Sequence, residues 1–224
     1  MASKPEPTSN RVGAASGIAV AVLSVAYVVV LVAGLVTLPS PDQQIQDPWF
    51  TAMEILILAI APSMVAFTVF LHALAMPHRK SAALLGVVFM SMCAALTSSN
   101  HFAVLTLSRQ TEFADAPWAA LVFSFTWPSV VYALDILAWD VFFPLGALFA
   151  ALSLPASAGY RLARWLLFGS AALAFVGLAG IPLANMNVRN IGIIGYAVLF
   201  PIAAALLAVR LRHAAARGDA THLL

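Results

Sequence analysis

Glu54, Asp135 and Asp140 stand inside stretches that otherwise suit hydrocarbon, and Asn100 and His101 stand inside a third such stretch. An ionisable group at the centre of a bilayer costs roughly 2.5 to 3.5 kcal/mol on insertion scales, so such groups commonly mark functional cavities. Carboxylates beside an imidazole can pass protons to and from a substrate, because imidazole holds, donates or accepts a proton near neutral pH. These residue types therefore point to acid/base chemistry in a site poor in water.

The elements that must position them are those of a polytopic membrane protein. Of 224 residues, 62% are hydrophobic and 9% are charged, against about 25% charged in soluble domains. Requiring about 20 apolar residues to cross about 30 Å of hydrocarbon yields six segments, at approximately 14–38, 50–76, 82–107, 128–153, 162–184 and 190–211. The expected fold is all-α, a single domain over 1–224 with six transmembrane helices. The first run exceeds the length of a signal-peptide core and is read as a retained span. An apolar prelude, Pro117 to Trp127, is too short to span and either lies along the interface or extends the fourth helix outward.

Lys and Arg are retained on the cytoplasmic side of membranes. With the N-terminus inside, nine of them, Lys4, Arg11, Arg79, Lys80, Arg161, Arg164, Arg210, Arg212 and Arg217, are cytoplasmic, and only Arg109 and Arg189 are not. Both termini are thus expected in the cytoplasm. The formal charge of +2 has this topological use, so nucleic acid is not an expected partner. Cys93, alone in an apolar stretch, is a small buried thiol and cannot form an intrachain disulfide. No internal repeat is evident.

At 1.5 Å per residue, Glu54 lies about 6 Å below the outer helix ends, Asn100 and His101 about 9 to 10 Å, and Asp135 about 10 Å, with Asp140 near the midplane. Asn185, Asn187, Arg189 and Asn190 open the sixth segment on the same side. Four segments converging in the outer half suggest a shared polar cavity, although buried ion pairs also serve simply to tie helices together. Tyr132, Asp135 and Trp139 share one helical face, and Asp140 is turned about 140° from Asp135. Asp135 is therefore the better cavity acid. Pro144 cannot donate to the carbonyl of Asp140, so a kink is expected there, and Pro62 and Pro201 interrupt two other spans.

Thr97, Ser98 and Ser99 bond most readily to their own helix. His72 lies at the opposite end of its span from His101, which argues against a bis-histidine haem. Glu54, His101 and Asp135 are acceptable metal ligands, but no spacing selects them, and no metal or cofactor is expected. Nucleotide-binding, zinc-protease and nucleophile-elbow patterns are absent.

The candidate catalytic groups are Asp135, Glu54, His101 and Asp140, the last being either a second catalytic group or a helix-packing partner. Candidate substrate contacts are Asn100, Trp127, Tyr132, Trp139, Asn187, Arg189 and Asn190. Asp135 or Glu54 can protonate an olefin or epoxide, His101 or a second carboxylate can remove a proton from the resulting cation, and Trp127, Tyr132 and Trp139 can stabilise it. With Glu54 and Asp135 on separate helices of a compact bundle, the chain is similar to the small integral-membrane terpene cyclases. More distantly, it resembles the sterol-isomerase type of bundle. That likeness implies a cyclase or isomerase acting on a membrane lipid or isoprenoid.

The strings Thr97-Ser-Ser-Asn-His101 and Tyr132-Ala-Leu-Asp-Ile-Leu-Ala-Trp-Asp140 resemble those of uncharacterised bacterial six-helix membrane proteins. The expected location is the bacterial cytoplasmic (inner) membrane. Two other readings use the same residues: a proton-coupled small-molecule carrier or binding protein, and a non-catalytic membrane subunit. An enzyme of this kind needs an aromatic cavity open to lipid, a carrier a water path past a midplane acid, and a subunit no sizeable cavity.

Overall fold

The computed structural model describes residues 7–40 and 43–217. Among the described residues six helices are long and apolar enough to cross a membrane: α1 Arg11–Val36, α2 Trp49–Leu74, α3 Pro77–Arg109, α4 Val130–Ser153, α5 Ala158–Gly180 and α6 Met186–His213. No strand occurs among the described residues, as follows where a segment must satisfy its own backbone donors and acceptors in lipid. The helices begin and end within a few residues of the expected spans. Lys4, used in the orientation count, lies outside the described residues.

Each helix packs on its neighbours in sequence, and α6 closes against α1, so the six form a ring. The alternating directions create a terminal end, where α1 starts and α6 finishes, and a loop end carrying the α1–α2, α3–α4 and α5–α6 connections. At the terminal end the basic residues bond carbonyls that helix ends leave free. Lys80 Nζ donates to His72 O at 2.6 Å and Ala73 O at 2.9 Å, while Arg79 donates to Leu154 O and to Leu152 O. His72 thus sits at the far end of the ring from His101.

At the loop end the Pro117 to Trp127 stretch is no extension of the fourth helix. It contains a short helix of its own, Ala119–Phe123, and α4 starts afresh at Val130. The Ser129 hydroxyl accepts the Tyr132 amide at 3.1 Å and caps that start. Phe123 reaches Phe113, with ring centres 5.6 Å apart.

The three internal prolines behave differently. Pro62 lies within an unbroken α2. Pro144 and Pro201 each follow a π-helical segment, Leu137–Phe142 in α4 and Gly195–Leu199 in α6. The Phe143 amide donates to Ala138 O and the Phe200 amide to Gly195 O, each five residues back. The disruption expected at Pro144 therefore takes the form of a widened turn, a distortion common at functional sites. The two widened turns face each other across the ring: Trp139 and Tyr196 have ring centres 4.9 Å apart, and Phe143 and Phe200 5.2 Å.

Since lipid tails are as apolar as leucine, close packing rather than burial drives these contacts. Gly195 is a point of close backbone approach between α5 and α6, since a Cβ there would lie 2.5 Å from the Ser170 carbonyl. The Ser170 hydroxyl in turn donates to Gly195 O at 2.8 Å. Gly195→Ala is expected to destabilise the bundle by about 1–3 kcal/mol, the usual cost of overpacking. Thermal unfolding in detergent micelles measures this, and an unchanged midpoint would show that the helices separate freely here.

Candidate functional site

Side chains from four helices form one chain of alternating acidic and basic groups. Glu54 Oε2 on α2 lies 2.8 Å from His101 Nδ1 on α3, and His101 Nε2 lies 3.7 Å from Asp135 Oδ1 on α4. Arg189 on α6 donates from Nη2 to Asp135 Oδ2 at 2.9 Å and from Nε to Asp140 Oδ2 at 3.1 Å. All five residues are buried, Arg189 at 5% exposure and Asp140 at none. The order Glu54, His101, Asp135, Arg189, Asp140 places a base between each pair of acids, the arrangement that lets buried charges persist.

The local sequence explains the reach of Arg189. Asn185 caps the short helix Met186–Arg189, its Oδ1 accepting the Asn187 amide at 3.0 Å. Five residues of an ordinary helix would turn Asp140 about 140° away from Asp135. The widened turn Leu137–Phe142 carries Asp140, and the one guanidinium reaches both acids. The other oxygen of Asp140, Oδ1, has no hydrogen-bond partner and rests against Gly192, where a Cβ would come within 2.7 Å of it.

A cavity of about 580 Å³ opens beside this chain, within the loop-end half of the ring. Glu54, His101, Asp135 and Arg189 form its polar wall, and Met53, Ile57, Met64, Trp139 and Phe200 line apolar parts of it. Its roof is made by Gln43, Gln44, Ile45, Phe123 and Phe125. Gln44 Nε2 donates to Ser124 Oγ at 3.1 Å and Thr126 Oγ1 at 2.8 Å, clasping two loops together. Phe125 stacks on the His101 ring at 4.8 Å. Beside the roof, Arg109 pairs with Asp47 at 3.1 Å and bonds Thr51 at 2.6 Å.

Of the residues singled out from sequence, Glu54, His101, Asp135, Tyr132, Trp139, Arg189 and Asn190 line the cavity. The other four do not. Asp140 lies behind the wall as the second anchor of Arg189. Asn100 Nδ2 donates to Val131 O at 3.3 Å and ties α3 to α4. Trp127 is 37% exposed and stands edge-on to Tyr132 with centres 6.4 Å apart, while Asn187 is exposed in the capping turn. Asp140, Asn100, Trp127 and Asn187 thus stand outside the lining, because helical spacing fixes depth but not which side faces the void.

Sequence reasoning missed Tyr27 on α1 and Tyr196 on α6, both in the cavity lining. Their signal is position, since tyrosine in spans favours the interface and these two sit mid-span. Neither phenol hydroxyl has a hydrogen-bond partner among the described residues.

The two carboxylates flank opposite nitrogens of His101, so they are placed as proton partners of the ring rather than around one ion. Among the described residues no group of three acids, histidines or cysteines is arranged to hold a metal. Arg189 also lies over the Tyr132 ring, 5.1 Å from its centre. The site can hold a proton on an imidazole and present a fixed carboxylate beside an apolar ligand.

Arg189→Met is expected to cost about 3–5 kcal/mol by leaving two buried acids unpaired. Adding Asp140→Asn should restore part of that loss in thermal unfolding. Wild-type stability in the single variant would deny the guanidinium its anchoring role. At the roof, the Thr51 hydroxyl first and then Arg109 hold the Asp47 carboxyl below its ordinary value of 3.8. A depressed value means this stabilisation is full above pH 3.8 and is lost as pH falls through the lower folded value. Amide exchange at the start of α2 should therefore quicken in that acid window, and Asp47→Asn should remove the dependence.

No family model, curated protein or solved structure matches this chain.

Proposed function

We propose that this protein is an integral membrane enzyme that performs acid/base chemistry on a lipid or isoprenoid, of the isomerase or cyclase type. The observation that carries the reading is His101, held between Glu54 and Asp135 on a charged wall of a cavity that is also lined by apolar and aromatic side chains. A proton can move at Nε2, the side of the ring that faces Asp135. Glu54 on Nδ1 fixes the ring and balances its charge, as a carboxylate does for a catalytic imidazole.

Asp135 is paired with Arg189, which suits it to accept a proton or face a developing cation rather than to serve as the donor. His101 is then the donor, and Asp135 the base or electrostatic partner. Tyr132, Trp139 and Tyr196 offer π-faces to positive charge in the substrate. Asp140, at the midplane acid position that a carrier needs, is locked to Arg189 behind the wall, which favours the enzyme over the carrier. We place the loop end outside and both termini in the cytoplasm of a bacterial inner membrane, since the basic residues gather at the terminal end.

The test is purification with mass spectrometry of retained lipids, followed by turnover of those lipids. His101→Gln and Asp135→Asn are each expected to lower turnover about 10²- to 10⁴-fold, the usual share of a general acid or base. Glu54→Gln should lower it less. Unchanged turnover in folded His101 and Asp135 variants would sink the proposal.

A further inference from the structure

We infer that the cavity takes its ligand sideways from the bilayer, between the loop-end halves of α1 and α6, and that this ligand is a neutral lipid carrying one hydroxyl or carbonyl oxygen. The inference rests on the lipid reading above and adds the route and the polar group of the substrate.

The route follows from where the ring fails to close. α1 packs firmly on the terminal half of α6, over Phe200–Arg217; the contact thins at Gly195–Leu199, and residues 186–194 form no extended interface with α1. The cavity reaches this gap, lined by Leu31 and Leu35 on one side and by Ile193 and Ala197 on the other. Its rim is apolar: Leu35 is 53% exposed and Ile194 51%, and α1 carries no charged residue after Arg11. At the loop end the Gln44 clasp ties the α1–α2 and α3–α4 connections together beside the cavity. Hydrocarbon therefore meets the cavity through its side.

The ligand's polarity follows from what waits inside. Tyr27 and Tyr196 stand on the two helices that bound the gap, and both hydroxyls lack partners among the described residues. Two hydroxyls that face the cavity from either side of the gap are free to donate to an oxygen of a ligand that enters there. A phosphate-bearing lipid would need an uncompensated cation. The cavity offers none, since Arg189 already serves Asp135 and Asp140, and His101 already faces Glu54 and Asp135. The volume of about 580 Å³ lies in the range that encloses a small molecule.

The full chain in phosphatidylcholine vesicles is to be photolysed with a diazirine-bearing farnesol, and the adducts mapped by mass spectrometry. Adducts are expected on Tyr27, Leu31, Ile193 and Tyr196, besides those on outward-facing Val25 and Val29. Unlabelled farnesol should compete more effectively than the hydrocarbon farnesane or than farnesyl diphosphate. Ile193→Trp should remove the cavity adducts and spare those on Val25 and Val29, which also reports that the variant is folded.

Tyr27→Phe and Tyr196→Phe should each lower the preference for alcohol over hydrocarbon about fivefold, one neutral hydrogen bond's worth. Adducts confined to outward-facing residues in the wild type would overturn the route. Stronger competition by the diphosphate, or an undiminished alcohol preference in the double Phe variant, would overturn the ligand class. Labelling of the wild-type protein is read independently of turnover, so a failure of the acid/base reading shows in turnover and leaves the labelling intact.

Discussion

One guanidinium organises the loop-end half of this protein. Arg189 bridges Asp135 and Asp140, and through Asp135 it is linked to His101 and Glu54. A lone carboxylate in hydrocarbon costs several kcal/mol, and breaking a buried pair leaves the full cost of the remaining charge. The five groups therefore stand or fall together. Because they come from α2, α3, α4 and α6, their pairing fixes how those helices sit against each other in a solvent that supplies no hydrophobic drive between them.

Backbone irregularity makes that pairing possible. The widened turn before Pro144 turns Asp140 toward the guanidinium that holds Asp135, and the turn before Pro201 presents Tyr196 to Trp139 and to the cavity. Proline removes an amide in each case, and the helix answers with a five-residue step instead of a break. The acid that anchors and the acid that faces the void are thereby separated, although only five residues divide them in the chain. The same geometry leaves α1 apart from the loop-end part of α6, and the cavity lies between apolar side chains of the two helices there.

Much of the architecture is legible in the chain itself. Continuous apolar runs of span length define α1 to α6, because a bilayer permits few alternatives to a helix. Counting residues along each helix also places Glu54, His101 and Asp135 at a common depth, since the rise per residue is nearly constant. Azimuth is another matter. Asp140, Asn100 and Trp127 have the depth of the site but stand outside the cavity lining, Asp140 in a π turn, Asn100 bonded to Val131 O and Trp127 at an exposed loop position. Tyr27 and Tyr196 escaped notice because a single mid-span tyrosine has no partner within its own segment to mark it.

The sequence by itself determined the class, the number and limits of the helices, and the level at which the acids and the imidazole lie. These are properties of one segment at a time, set by hydropathy and by helical rise. Only the tertiary structure decided which acid pairs with Arg189, which groups flank each nitrogen of His101, and which helix faces enclose the cavity. Those outcomes depend on how separate segments rotate and pack against each other, and van der Waals fit at positions such as Gly192 and Gly195 sets that rotation.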